Sequence, residues 1–280
     1  MKIAITGATG QLGHLVLEKL KEKTTIENII ALVRTPEKAT DLGVEVRPFD
    51  YNEPNVNALQ GVDKLLLISG NELGQRARQH SNVIETAKTA GVKQIVYTSL
   101  LHADTSSLSL AAEHLATENT LKKSGLSYII LRNGWYTENY TGSVKNAISA
   151  GAFIGSADNG KISSAARIDF AEAASVVLTS EGHSGKTYEL SGDESYTLAD
   201  LAAEISKQTG KNIPYNNLPA NEYATILKSF GIPDVFAEAI ASWDVSASKG
   251  DLFDSSHVLS ELIGRKTTPL SQVVADAIRA

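Results

Sequence analysis

Lys2-Ile3-Ala4-Ile5-Thr6-Gly7-Ala8-Thr9-Gly10-Gln11-Leu12-Gly13, at the start of the chain, decides the fold. A short β-branched apolar run passes straight into three glycines, and a helical pattern begins inside them, so a buried strand, a tight turn and a helix N-terminus follow one another directly. Gly7 permits the turn. Gly10 removes the Cβ that would keep backbone amides from a pyrophosphate, and Gly13 allows close helix-on-strand contact. The helix end contributes unpaired N–H groups and the positive end of its dipole. With strand before and helix after, the segment reads as a dinucleotide loop rather than a structural turn. Its spacing is GxxGxxG, and it lacks the Lys-Ser/Thr ending of a mononucleotide P-loop, which argues against ATPase chemistry.

Further short apolar runs lie at Ile29 to Val33, Val44 to Phe49, Lys64 to Ser69, Gln94 to Ser99 and Tyr128 to Asn133. Such continuous β-branched runs suit strands buried on both faces. Between them, helical periodicity covers Gln11 to Lys23, Gly74 to Ala90 and Leu108 to Lys123, the last two closed by Gly91 and Gly125. The alternation predicts an α/β fold, a Rossmann-type doubly wound parallel sheet. After Arg132-Asn133-Gly134 the rhythm becomes loop-rich, with Gly142, Gly151, Gly155 and Gly160, before a helix from Asp169 to Ser180. The expected division is a dinucleotide-binding domain over 1–133 and an interleaved, smaller, mostly helical lobe over 134–280. One strand near 186–191 returns to the sheet, and Thr197 caps a helix from Leu198 to Gln208 that ends at Gly210.

The second run ends at Arg34, where an NAD-specific enzyme would carry an Asp or Glu for the ribose hydroxyls. A guanidinium there matches a 2′-phosphate, with Lys38 nearby, so NADPH is the expected cofactor and NADH the weaker one. Asp50 and Tyr51 follow the third strand: the carboxylate can accept from an adenine amine, and the ring can pack on the base. Ser69, Gly70 and Asn71 end the fourth strand and Thr98-Ser99 the fifth, at carboxyl ends where open α/β sheets bind ligands.

Charge and composition exclude other classes. The chain of 280 residues has 26 Lys+Arg against 32 Asp+Glu, a formal charge of −6, which argues against a basic nucleic-acid binder. Zero cysteines remove disulfides, iron–sulfur clusters, thiolate zinc sites and cysteine nucleophiles together. The six histidines show no paired metal-ligand spacing and there is no G-x-S-x-G elbow, so neither a metal nor a serine nucleophile is expected. No run approaches the roughly 18 apolar residues of a membrane span, and no signal peptide precedes Gly7, which points to the cytoplasm.

Ile5-Thr6-Gly7-Ala8-Thr9-Gly10-Gln11-Leu12-Gly13-His14, Leu65 to Ser69, Tyr97 to Asp104 and Leu131-Arg132-Asn133-Gly134-Trp135-Tyr136 with Glu138-Asn139-Tyr140 together resemble the NmrA-like atypical short-chain dehydrogenase/reductases. Within that family the chain is most similar to the type 2 NAD(P)H:quinone oxidoreductase group, with triphenylmethane reductases as a close relation. The likeness continues to Leu262-Ile263-Gly264 and so covers nearly the whole chain. It implies two-electron reduction of a small-molecule quinone by NADPH without flavin or metal, and fold analogy points to a homodimer. The cofactor residues it implies are Gly7, Thr9, Gly10, Gln11, Leu12, Arg34, Ser69, Gly70, Asn71, Asn133, Gly134, Trp135, Tyr136, Glu138 and Arg167.

Typical members of the wider superfamily use a Tyr-x-x-x-Lys pair on one helix face as the proton donor. None of the nine tyrosines here has Lys four residues on; in the expected helix that spacing belongs to His114 and Glu118, with His114 read as structural. A quinone needs less help than a ketone because reduction makes it aromatic, so positioning becomes the main device. Tyr136, Asn139 and Tyr140 are the candidate donors to the developing oxyanion. A dye reductase and a non-catalytic NAD(P) sensor are the other readings left open.

Overall fold

Continuous β-branched runs have no polar face to offer water, so they settle side by side under helices on both faces. The computed structural model describes residues 1–280. Its elements run β1 (Ile3–Thr6), α1 (Gln11–Lys21), β2 (Ile29–Val33), β3 (Glu45–Pro48), β4 (Lys64–Leu67), α2 (Arg76–Thr89), β5 (Gln94–Leu100), α3 (Ala111–Lys123) and β6 (Ser127–Asn133). Then follow α4 (Glu138–Thr141), α5 (Val144–Ala150), β7 (Phe153–Gly155), α6 (Arg167–Thr179), β8 (Thr187–Leu190), α7 (Leu198–Thr209) and β9 (Tyr215–Asn217). The chain closes with α8 (Ala220–Ser229), α9 (Asp234–Ser248), α10 (Val258–Ile263) and α11 (Leu270–Arg279).

Seven strands form one parallel sheet in the order β3-β2-β1-β4-β5-β6-β8. β1 lies between β2 and β4, so successive crossovers leave it in opposite directions and open a crevice at its carboxyl end, where the glycine loop begins. β1, β2 and nearly all of β4 are buried. β3 departs from the expected double-sided burial, because it forms the edge of the sheet and exposes Glu45 and Pro48. Pro48, which cannot donate to a ladder, is tolerated at that edge.

The chain divides into two units, Met1–Asp104 with Leu110–Asn133 and Arg167–Leu190, and Thr105–Ser109 with Gly134–Ala166 and Ser191–Ala280. The expected division, 1–133 with a strand near 186–191 returning to it and 134–280, differs from these units in that α6 also lies with the first and Thr105–Ser109 with the second. α6 belongs to the first unit, where its small residues Ala171, Ala173 and Ala174 are buried and the helix packs on α1. A helix apolar on nearly every side declares that it is buried but not against what. In the second unit, α7 starts with the expected cap: Thr197 Oγ1 accepts from the Asp200 N–H at 3.1 Å and Asp200 Oδ2 accepts from the Thr197 N–H at 2.9 Å. β7 and β9 form a small parallel ladder with no counterpart in the sequence reading.

Four elements of the first unit are tied by one ionic cluster. Arg132 on β6 donates to both oxygens of Glu118 on α3, at 2.8 and 2.9 Å, and to Glu189 on β8 at 2.7 Å, while Ser99 on β5 donates to Glu118 at 2.7 Å. Burial raises the Glu118 carboxyl, but hydrogen bonds from Arg132 and Ser99 outweigh it and hold the group below the usual carboxylate range. The cluster fixes the end of β6, from which the Asn133–Glu138 segment departs. Glu118→Ala is expected to lower the unfolding free energy by about 3 kcal/mol in equilibrium urea denaturation, because it leaves a buried guanidinium under-partnered.

Candidate active site

Gly7 takes φ +60°, its carbonyl accepts from the Gly10 N–H at 2.9 Å, and α1 starts at once with the His14 N–H on the Gly10 carbonyl. A Cβ on Gly13 would overlap the Gly7 carbonyl oxygen and lie 2.9 Å from Ala8 Cα; one on Gly10 would come within 3.1 Å of that same oxygen. The close approach foreseen for Gly13 is thus to the turn itself. Gly10 caps α1 with no side-chain partner, the first turn carries no acidic residue, and Lys19 and Lys21 occupy the last turn. The open N–H groups and the positive dipole end are therefore unopposed by any local acidic side chain, the condition that favours an anion. Thr9 and Gln11 are exposed, whereas Leu12 is buried and offers only its backbone.

A cleft of about 410 Å³ extends from this loop. Gly7, Thr9 and Gly10 line it together with Arg34, Lys38, Asp50, Tyr51 and the Ser69-Gly70-Asn71 turn, whereas Gln11, Leu12, Gly13 and the residues from Asn133 to Arg167 expected at the cofactor do not. Arg34 is 63% exposed and lies 3.4 Å from Glu72, a weak solvent-facing pair that an incoming phosphate can replace. Asp50 caps a local turn, its Oδ1 accepting from the Asn52 N–H at 2.8 Å. The Tyr51 hydroxyl lies 2.5 Å from Thr6 Oγ1 and 2.7 Å from the Ile68 carbonyl, and burial pushes it well above its ordinary value. Its proton is committed to the sheet, leaving the ring for the cleft.

Thr98 does not line this cleft. It is 2% exposed, and its Oγ1 accepts from the Ser69 N–H at 2.9 Å, so it positions the turn rather than touching a ligand. His80 does the same for Gly70: its Nε2 accepts from the Gly70 N–H at 3.0 Å, and its Nδ1 lies 3.0 Å from Thr117 Oγ1. Burial, reinforced by Arg76, lowers His80 to about 3, so the ring is neutral and can act as acceptor. Arg76 donates to the Gly70 carbonyl at 2.5 Å. His114, lowered to about 3 first by burial, sits 2.8 Å from the Tyr97 hydroxyl, while Glu118 serves Arg132; the pair at Tyr-x-x-x-Lys spacing forms no acid couple.

In the second unit, the Gly134–Thr141 segment is pinned by backbone bonds, the Thr137 N–H to the Ala165 carbonyl at 2.9 Å and the Ala165 N–H to the Trp135 carbonyl at 3.1 Å. Tyr136 is half-buried and Asn139 exposed, whereas Tyr140 is buried. Tyr140 donates to Asp244 Oδ1 at 3.1 Å, and Asp244 Oδ2 accepts from the Ser156 N–H at 2.8 Å. Burial and the adjacent carboxylate push the Tyr140 hydroxyl well above its usual range. This takes Tyr140 out of the set of proton donors and makes it a strut. Asn133, at 4% exposure, ends β6, half-buried Glu138 opens α4, and half-buried Arg167 opens α6.

Residues 7–181 match the sequence pattern of NAD(P)H-binding proteins. The chain belongs to that family. Quinone oxidoreductase 2 of Escherichia coli K12 is 55% identical over 278 residues, covering 98% of this chain and 97% of that one. The crystal structure of the NADPH-dependent quinone oxidoreductase of Escherichia coli complexed with NADPH superposes with a TM-score of 0.95 at 54% identity, covering 99% of each chain. The triphenylmethane reductase of Citrobacter sp. complexed with NADP(H) gives 0.95 at 40% identity, covering 99% of this chain and 100% of that one.

For an NAD(P)H-binding chain, the residues that sequence reasoning missed are supports: Thr6, Arg76, His80 and Asp244. Thr6 lies within the glycine-loop stretch but has no assigned role there, and Arg76, His80 and Asp244 sit in no motif, so the only signal is a polar residue in a helix or strand. Gly13→Ala is expected to weaken NADPH binding at least tenfold in calorimetry and to cost about 1–3 kcal/mol of stability, since the turn must move to admit a methyl group. Asp244 is raised by burial from its ordinary 3.8 to about 6 despite hydrogen bonds from Ser156 and Tyr140. Its stabilising contribution is present in full below about pH 4 and is lost as pH rises through about 6. The thermal midpoint of wild type relative to Asp244→Asn should therefore fall by several degrees between those limits.

Proposed function

We propose that the protein is an NADPH-dependent quinone reductase working without flavin. The observation that carries this reading is a cleft in which an open helix N-terminus and the cationic pair Arg34 and Lys38 stand together, with no carboxylate at the end of β2. Near-full-length identity to a quinone oxidoreductase supports the substrate class. The glycine-loop amides hold the diphosphate, Arg34 and Lys38 the 2′-phosphate, and the Ser69-Gly70-Asn71 turn the adjoining ribose. Asn133, Gly134, Trp135, Tyr136, Glu138 and Arg167 serve the nicotinamide end, as the family resemblance implies.

Bound NADPH supplies a hydride to the quinone, and one proton from water completes the hydroquinone as NADP⁺ is left. No Tyr-x-x-x-Lys pair is present, so the chain contributes chiefly orientation and exclusion of water. Tyr136 and Asn139 are the donors that stabilise the developing oxyanion. The enzyme acts in the cytoplasm as a homodimer.

Loss of reduced-nicotinamide absorbance with benzoquinone, naphthoquinone and a triarylmethane dye tests the reading. Quinone-dependent oxidation of NADPH supports it, dye-only oxidation replaces it with the dye reductase, and NADPH binding without oxidation replaces it with a sensor. Arg34→Ala is expected to reduce the NADPH-over-NADH preference in kcat/KM by about tenfold, the low end for a charge-assisted contact at an exposed site. An unchanged ratio would remove Arg34 from the 2′-phosphate site.

A further inference from the structure

Both tryptophans of the chain occupy one corner of the second unit. Trp135 follows the carboxyl end of β6, and Trp243 projects from α9; their ring centroids are 5.6 Å apart with planes at 71°. Both indoles are only half-buried, although the helix behind Trp243 is anchored in the lobe through the next residue, Asp244. The Trp243 ring is held in place, since its Nε1–H donates to Ser109 Oγ at 3.0 Å. Ser109 belongs to the Thr105–Ser109 loop that continues from the carboxyl end of β5, and this loop is strapped to the end of α9. The Ser107 N–H donates to Asp251 Oδ2 at 3.1 Å, and the Ser107 hydroxyl bonds to Asp251 and, at 3.3 Å, to Ser246.

α9 therefore gathers two segments of the second unit, one that follows β5 along the chain and one that follows β6. The result is a T-shaped pair of electron-rich, half-buried indoles, one of them held by a hydrogen bond to Ser109. Such a corner suits a flat, electron-poor ring: one indole stacks while the other closes the side, and no rotamer freedom is lost on binding.

Resting on the quinone reductase reading, we propose that Trp243 is a specificity-determining residue, the side wall on which the second ring of a fused-ring quinone packs against Trp135. Ser109 is a positioning residue that sets the indole's angle. A one-ring quinone fills less of the corner and gains less from Trp243.

The test compares wild type, Trp243→Leu, Trp243→Phe and Ser109→Ala in steady-state kinetics with 1,4-naphthoquinone and 1,4-benzoquinone at saturating NADPH, alongside NADPH affinity by calorimetry. For Trp243→Leu the expected result is a KM for naphthoquinone raised about tenfold, about 1.4 kcal/mol, with the benzoquinone KM and the NADPH affinity changed by no more than about twofold. Trp243→Phe, which keeps a ring, should recover most of the loss. An unchanged naphthoquinone-to-benzoquinone ratio in Trp243→Leu overturns the assignment, as does an equal loss of NADPH affinity. If Trp243→Leu fails to fold, Ser109→Ala reads the same wall, and a naphthoquinone KM unaltered there also overturns it. Wild-type protein that oxidises NADPH with neither quinone removes the functional reading itself, an outcome distinct from either of these.

Discussion

The contact between Gly13 and the Gly7 carbonyl is the constraint on which the cofactor site depends. α1 begins so soon after β1 that its first turn lies against the backbone of the turn that precedes it, and only hydrogen atoms fit between them. That closeness leaves the first N–H groups of α1 unpartnered at the sheet's switch point, with no side chain to satisfy them. Unsatisfied donors at a helix end are costly unless water or a ligand takes them, so the same geometry that forms the turn also creates affinity for an anion.

Around that fixed point the molecule builds rigidity by burying neutral or fully paired polar groups. Thr6 joins Tyr51 to the β4 end, Thr98 and His80 hold the Ser69-Gly70 turn from beneath, and the Arg132 cluster locks β5, β6, β8 and α3 together. His80 serves because burial keeps it neutral and able to accept a hydrogen bond from a backbone amide. Asp244 plays a comparable part in the second unit, receiving Tyr140 and the Ser156 amide together. Thr6, Thr98 and His80 do not line the cleft, yet they hold Tyr51, Ser69 and Gly70, which do, and that is the support a preorganised site requires.

The absence of a Tyr-x-x-x-Lys pair fits a substrate that gains aromaticity when reduced. His114 and Glu118 hold the corresponding spacing, but one is a neutral partner of Tyr97 and the other belongs to Arg132. The helix face that carries acid chemistry in typical relatives has here been given to core hydrogen bonding, and the candidate donors lie on the Tyr136–Asn139 segment instead.

Local rules made the glycine loop, the parallel sheet, the capping of α7 and the cationic end of β2 legible, because each depends on residues close together in sequence and on one periodicity or one steric demand. Tertiary structure alone decided that β3 is an exposed edge, that α6 belongs with the first unit, that Thr98 supports the turn instead of lining the cleft, and that Tyr140 is spent on Asp244. Each of those outcomes depends on a partner far along the chain, 29 residues away for Thr98 and 104 for Tyr140. A hydroxyl or carboxylate in a sequence declares what bonds it can make, and only the packed chain determines which group is near enough to make them.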